Sequence, residues 1–162
     1  MAFDPNGIAK QDGKKIIGFE TKGIEKALFE GKTPVLFGQM VPDKSLNYSV
    51  ISGDTIIGFL AKKLGAKKVF LGTDVAGIFT ADPKKDKKAK RIPLIGRKNF
   101  EKVVAQTSEA STVDVTGGMK GKLEKMREML EGTTAIVFNA NEKSSFYRAL
   151  TEKKVKGTEI RL

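Results

Sequence analysis

The chain has 162 residues, 40% of them hydrophobic, which is enough for one compact domain with a real core. Its 30 Lys+Arg against 19 Asp+Glu leave a net charge of +11, a balance that favours anionic ligands. Cysteine and histidine are both absent, which excludes disulfides, thiolate metal centres, imidazole ligands and histidine acid–base chemistry within this chain. The lack of cysteine fits a cytoplasmic protein. No run of about 18 apolar residues occurs, so no membrane span is expected. The stretch Met1 to Asn6 lacks the basic and apolar regions of a signal peptide.

In chain order, Lys15 to Phe19 reads as a strand after an Asp12-Gly13 turn. Ile24, Ala27 and Leu28 then give residues 20–31 the spacing of an amphipathic helix closed by Gly31. Pro34 to Gly38 is expected to be a short buried strand. Residues 43–47 form a turn between two antiparallel pieces, the second being Tyr48 to Ile51. A helix over 55–64 turns Ile56, Ile57, Leu60, Ala61 and Leu64 inward and ends at Gly65. Val69 to Leu71 is the next strand. Helices follow over 99–105 and 121–130, a strand over 134–138, a short helix over 144–150 and a closing strand over 158–161. Strands alternating with helices argue an α/β layered sheet with parallel pairs, and no repeat or linker divides it.

Three segments carry chemistry. The stretch from Thr73 to Pro83 follows the buried strand and Gly72, and open α/β sheets place ligands at such polar, glycine-punctuated strand ends. Ser52-Gly53-Asp54 lies between a strand and a helix, where Asp54 is a candidate N-cap. In Thr116 to Lys122 two adjacent glycines let the backbone approach a bulky anion, and the helix after them presents N–H groups and a positive dipole end. A lysine one turn into that helix can reach a phosphoryl group; on spacing alone Lys120 and Lys122 both serve, and a glycine turn capping a surface helix is the alternative. The run Lys84, Lys85, Lys87, Lys88, Lys90 and Arg91 has no interleaved aromatic residue. It reads as a solvated loop, and nucleic acid is not an expected partner.

Taken together and in this order, I-S-G-D from Ile51, T-D-V-A-G-I-F-T-A-D-P from Thr73 and D-V-T-G-G-M-K-G-K from Asp114 resemble the amino-acid kinase family. The resemblance extends over nearly the whole chain and is strongest to the archaeal isopentenyl phosphate kinases, of which it covers the C-terminal, ATP-binding portion. It implies an α/β three-layer sandwich with a mainly parallel sheet, built as a single nucleotide-binding domain over 1–162. It implies ATP and Mg²⁺ as cofactors. Thr73, Asp74, Gly77, Phe79, Asp82 and Pro83 would then flank adenine and ribose, while Gly117, Gly118, Met119 and Lys122 cradle the phosphates. Lys122 would stabilise charge on the transferred phosphoryl group. Asp54 would orient the active-site lysines, with Ser52 and Gly53 beside the acceptor phosphate. Ala76 stands where the family usually has an acid, and Phe79 where it usually has tyrosine.

The family's first lysine and glycine loop have no counterpart in these 162 residues. The expected function is therefore the ATP-binding half of a split kinase that converts isopentenyl phosphate and ATP to isopentenyl diphosphate and ADP. Its expected partner is a separate chain carrying the N-terminal half. A non-catalytic nucleotide-sensing module of the same fold is the alternative reading. An RNA-binding protein, favoured by net charge alone, is a third.

Overall fold

The computed structural model describes residues 1–109, 118–129, 132–151 and 153–162. The chain divides into two compact units, Met1–Ile57 and Gly58–Leu162. Both combine helices with a four-stranded mixed sheet, which makes the architecture α/β.

The first unit opens with a one-turn helix, α1 (Pro5–Ile8), with proline at its start and the Asp4 carboxylate accepting from the Asn6 N–H at 2.9 Å. Strands β1 (Ala9–Asp12) and β2 (Lys15–Phe19) form a hairpin across Gly13 and Lys14. Both loop residues have positive φ (55° and 68°), the two-residue turn whose twist suits a hairpin. Helix α2 (Lys22–Phe29) buries Ile24 and Ala27. It ends as Gly31 was expected to end it: Gly31 is left-handed (φ 70°), its N–H bonds to Leu28 O at 3.0 Å, and that of Lys32 to Ala27 O at 2.9 Å. Strands β3 (Gln39–Asp43) and β4 (Asn47–Ile51) then pair antiparallel on either side of the foreseen turn, giving the order β2-β1-β3-β4.

Residues 34–38 do not form the expected strand. Val35 alone makes a bridge, to Ala2, donating to Met1 O at 2.8 Å and accepting from the Phe3 N–H at 2.9 Å. Among the described residues no neighbour offers the rest of the run a ladder. Val35 and Phe37 consequently stay about half exposed, at 54% and 49%. β1 was not foreseen, because the alternation of Ala9-Lys10-Gln11-Asp12 buries a glutamine rather than a second apolar side chain.

That glutamine belongs to a polar knot. The buried Asp43 carboxylate accepts from the N–H groups of Gly13 (3.0 Å), Lys14 (2.8 Å), Ser45 (3.1 Å) and Leu46 (3.1 Å), and from Ser49 Oγ at 2.6 Å. Gln11 lies beside it, its Oε1 2.9 Å from Ser49 Oγ and its Nε2 donating to Lys14 O at 2.9 Å. One carboxylate thus closes both hairpin turns. Burial works to raise the Asp43 carboxyl, but the donors Ser49, Lys14, Gly13 and Leu46 outweigh it and hold it well below the usual carboxylate range.

Helix α3 (Gly53–Leu64) begins in the first unit and ends in the second. In the second unit come β5 (Lys68–Thr73), β6 (Leu94–Gly96), α4 (Phe100–Glu109), α5 (Gly118–Met129), β7 (Thr134–Asn139), α6 (Ser145–Leu150) and β8 (Gly157–Arg161). Their sheet runs β5-β7-β8-β6, with β5 and β7 parallel, β6 and β8 parallel, and β7 and β8 antiparallel. Parallel pairing prevails in this sheet, while the first sheet is built of hairpins. Val69, Ala135, Val137, Ile160 and Ile95 pack with Phe100, Val103, Leu123 and Met126 into the core. The three-residue β6 has no sequence signal, since Pro93 precedes it and only Ile95 is buried.

The Asp43 knot fixes a pH dependence of stability. A carboxyl depressed in the folded state stabilises the fold fully above its unfolded value of about 3.9, and loses that contribution as pH falls below it towards the folded value. Asp43→Ala leaves four backbone N–H groups without their acceptor, while Ser49 keeps Gln11 Oε1, and is expected to lower Tm by roughly 5 °C or more at pH 7. Melting curves from pH 7 to pH 3 should show the difference between variant and parent shrinking as pH falls. An acid-independent difference would remove Asp43 from this role.

Candidate functional site

In the first unit, β4 delivers the chain directly into α3. Ser52 caps this helix: its Oγ accepts the Thr55 N–H at 3.2 Å and lies 2.8 Å from Thr55 Oγ1, while its carbonyl accepts the Ile56 N–H at 3.0 Å. Here the N-cap expectation for Asp54 is corrected. A cap must stand before the first helical residue, and Gly53 already opens the helix. Asp54 is a half-buried acid in the first turn, favoured there by the positive helix end. Gly53 is exposed. Gly38 lies so close that a β-carbon on it would come within 3.0 Å of Ile51 O and 3.3 Å of Gly53 N. A glycine there leaves the strand–helix turn uncrowded.

In the second unit, Thr73 ends β5 and opens the long excursion to β6. Thr73 Oγ1 donates to Val75 O at 2.8 Å and its carbonyl accepts the Ala140 N–H at 2.7 Å, which ties the turn to the end of β7. Gly77 is buried with φ 118°, and a β-carbon there would lie 2.6 Å from Thr158 Oγ1. Only glycine fits. The Ile78 N–H donates to that same Thr158 hydroxyl at 2.8 Å, which in turn donates to Ile92 O at 2.6 Å. Ile78 itself is fully buried in the core. Thr158 is an anchor of this segment that sequence reasoning passed over. The sequence placed it only at the start of the closing strand, since its partners lie 80 and 66 residues away.

Beyond Ile78 the chain runs as a ribbon: Phe79 bridges to Arg91, the Thr80 N–H donates to Lys90 O at 2.9 Å, and the Lys90 N–H donates to Thr80 Oγ1 at 3.0 Å. Asp82 organises the tip. Its Oδ1 accepts the Lys84 N–H at 2.9 Å, and its carbonyl those of Lys85 and Asp86 at 3.1 and 2.8 Å. The Lys84 ammonium reaches back to the exposed Asp74 carboxylate. That hydrogen bond and the Asp74 charge, with a smaller contribution from Asp82, raise Lys84 above its ordinary value despite some desolvation. The Arg91 guanidinium donates to Gly157 O. Thr73, Asp74, Gly77, Phe79, Asp82 and Pro83 therefore belong to one folded excursion.

Helix α5 starts at Gly118, three residues earlier than expected, which brings Gly118, Met119 and Lys120 into the helix with Lys122. Their side chains and Gly117 lie outside the described residues. Leu123 and Met126 are buried and anchor the helix on the core. Among the described residues no three acidic side chains converge as a metal site, and no helix is long and apolar enough to cross a membrane.

Residues 3–139 match the model of the amino acid kinase family. The chain belongs to that family. It is 33% identical over 163 residues to an isopentenyl phosphate kinase of Methanothermobacter thermautotrophicus, covering 99% of this chain and 60% of that protein. To the isopentenyl phosphate kinase of Methanocaldococcus jannaschii it is 36% identical over 148 residues, 91% of this chain and 53% of that protein. A crystal structure of isopentenyl phosphate kinase superposes with a TM-score of 0.76 at 28% identity, covering 99% of this chain and 59% of that one. Aspartokinase III of Escherichia coli, at 19% identity and TM-score 0.60, shares the fold. The chain spans about 60% of the length of the first of these relatives.

Thr158→Val keeps the shape and removes the hydroxyl, leaving the buried Ile78 N–H and the part-buried Ile92 carbonyl without their partner. The expected cost is roughly 1–3 kcal/mol of stability. Amide spectra should show the change concentrated between Thr73 and Ile92. Urea unfolding with an unchanged midpoint would deny the hydroxyl this role.

Proposed function

We propose that this chain is the ATP-binding part of a phosphate kinase whose acceptor is isopentenyl phosphate or a close relative of it. The observation that carries the reading is the similarity to isopentenyl phosphate kinases over 99% of the chain. With it go the positions of Gly53 and Asp54 at the start of α3, of Thr73 at the end of β5, and of residues 118–122 at the start of α5. In the reaction, an acceptor phosphate oxygen attacks the γ-phosphorus of ATP, the bond from that phosphorus to the β-bridging oxygen breaks, and ADP leaves. Little covalent work falls to the protein, so catalysis rests on positioning and on charge placed against the moving phosphoryl group.

The residues present fit such a nucleotide. The excursion from Thr73 to Pro83 is held by the Gly77–Thr158 contact and leaves Asp74 exposed beside Lys84, so a ribose and a phosphate would each find a polar partner there. The start of α5 offers N–H groups and a positive helix end to the phosphates, with Lys122 as the ammonium that follows the transferred group. At the start of α3, Ser52 and exposed Gly53 would receive the acceptor phosphate, and Asp54 would orient the catalytic ammonium groups. Mg²⁺, when bound, would share the ATP phosphates. This reading needs the family's N-terminal segment, in the same polypeptide or as a second chain.

The test supplies that segment from the Methanothermobacter relative and measures phosphoryl transfer from ATP to isopentenyl phosphate. Lys122→Ala should lower kcat by about 10²-fold or more, a loss of ~3 kcal/mol of transition-state stabilisation. Lys120→Ala should cost far less, and Asp54→Asn should be clearly damaging while circular dichroism stays unchanged. A crippling Lys120→Ala beside a near-neutral Lys122→Ala would overturn the assignment of the lysine. ATP binding without any transfer would instead favour a nucleotide-sensing module.

A further inference from the structure

The two edges of the first sheet are built differently. At the β2 edge, Ile17 stands as an extra residue opposite the step from Lys10 to Gln11, and Lys15 lies in the strand. A bulge and a lysine are devices that stop another strand from pairing. β4, Asn47-Tyr48-Ser49-Val50-Ile51, carries no charge and no proline, and its ladder to β3 runs without a shift. Among the described residues no strand lies beyond it. Pro42 has no N–H, so its pairing with Tyr48 is of the non-hydrogen-bonded kind, and alternation makes Met40–Val50 the same. The N–H and C=O groups of Tyr48 and Val50 therefore point away from β3. The Tyr48 N–H is taken by Leu46 O at 2.7 Å, while the Val50 N–H and both carbonyls face outward. Ser49 and Ile51 are buried on one face of the sheet. On the other, Tyr48 and Val50 are 58% and 61% exposed, beside Met40 at 47%.

We propose that β4 pairs antiparallel with β4 of a second copy of this chain, joining the two sheets across a twofold axis at Ser49. The strand is complementary to itself. With the two Ser49 residues opposite one another, each Tyr48 meets the partner's Val50, an aromatic and β-branched cross-strand pair made twice. Each Val50 N–H then gains the carbonyl of the partner's Tyr48. Met40 and Pro42, directly opposite Val50 and Tyr48 within the sheet, widen the apolar seam on the same face. Charge selects the occupant. The chain carries +11, so two copies repel over most approaches, and an uncharged strand is where that repulsion is least. An acidic partner is drawn to lysines, and β4 has none. One strand pair with its neighbouring side chains buries less than the roughly 1,200 Å² of a lasting complex, which sets a weak dimer with Kd of about 10–100 µM. Because β4 runs directly into Ser52 and α3, the pairing also holds the strand that delivers that turn. The proposal is independent of the kinase reading, since association is measured without ATP or acceptor.

The experiment is sedimentation equilibrium of this chain from about 5 to about 500 µM, which should show a monomer–dimer equilibrium in that Kd range. The dimer should tighten as salt rises from about 0.05 to about 0.5 M, because like charge is screened. In a mixture of isotope-labelled and unlabelled chains, filtered NOEs should join the Tyr48 ring to the Val50 methyls of the other molecule. Val50→Lys should raise Kd at least about tenfold, and Val50→Ile should preserve it. Val35→Lys, at a valine of comparable exposure outside the four strands, should leave Kd unchanged, with circular dichroism showing all three variants folded. A chain still monomeric at about 500 µM, or a dimer that Val50→Lys leaves intact, would overturn the proposal. So would filtered NOEs that avoid β4. If the Val50 amide is shielded from exchange only once the N-terminal segment of the Methanothermobacter relative is added, the edge belongs to that segment and the second copy is ruled out.

Discussion

The buried hydroxyl of Thr158 is the point on which the candidate nucleotide segment hangs. It accepts from the Ile78 N–H and donates to Ile92 O, so a single oxygen on β8 holds both the outgoing and the returning limb of the excursion between β5 and β6. With no exposed surface, it has no water to fall back on, and losing the first bond leaves the buried Ile78 N–H unpaired. The close approach this requires is possible because position 77 is glycine at φ 118°. A loop anchored this way keeps its strand-end turn in one conformation before any ligand arrives, which lowers the ordering entropy that binding would otherwise cost.

The first unit solves a similar problem with a charge. Asp43 gathers five donors from two hairpin turns, three on Oδ1 and two on Oδ2, and an ionised carboxylate is the side chain that accepts on both its atoms and donates on neither. In consequence β3 and β4 are fixed at the end far from Ser52, so the chain enters α3 from a sheet whose register is set elsewhere. Gly38 packed against the Ser52-Gly53 turn completes that entry. In both units a buried polar group specifies geometry where apolar packing alone would permit sliding.

What the sequence disclosed follows the same division. Helices with apolar spacing and glycine stops were legible, as Ile24, Ala27 and Gly31 show for α2. Strands with continuous apolar runs, such as β5 and β7, were legible too. Pro34 to Gly38 misled because composition marks a strand whether or not a ladder partner stands beside it, and pairing is a tertiary fact. β1 was hidden by Gln11, whose burial makes sense only once Asp43 and Ser49 are seen next to it. At the site, the motif residues from Thr73 to Pro83 were readable one by one. Thr158, 66 residues after Ile92 and 80 after Ile78, was not, since no local pattern reports so distant a bond.

The excess of positive charge has a structural distribution that bears on ligand capture. Along the ribbon tip the acids are spent on the backbone: Asp82 and Asp86 accept the N–H groups of Lys84 and Lys88 through their own side chains. That leaves the lysine side chains exposed around a fixed loop, with Lys84 drawn back onto Asp74 at the strand end. An exposed ion pair of this kind adds little to stability. What it does is hold cationic density beside the turn that an anionic ligand would approach. Unlike a short hydrogen bond, such a field acts over the Debye length, about 10 Å at 0.1 M salt. It raises the rate of encounter far more than the final affinity. Salt should therefore slow arrival at this end of the sheet more than it loosens what the Thr158-anchored turn has already seated.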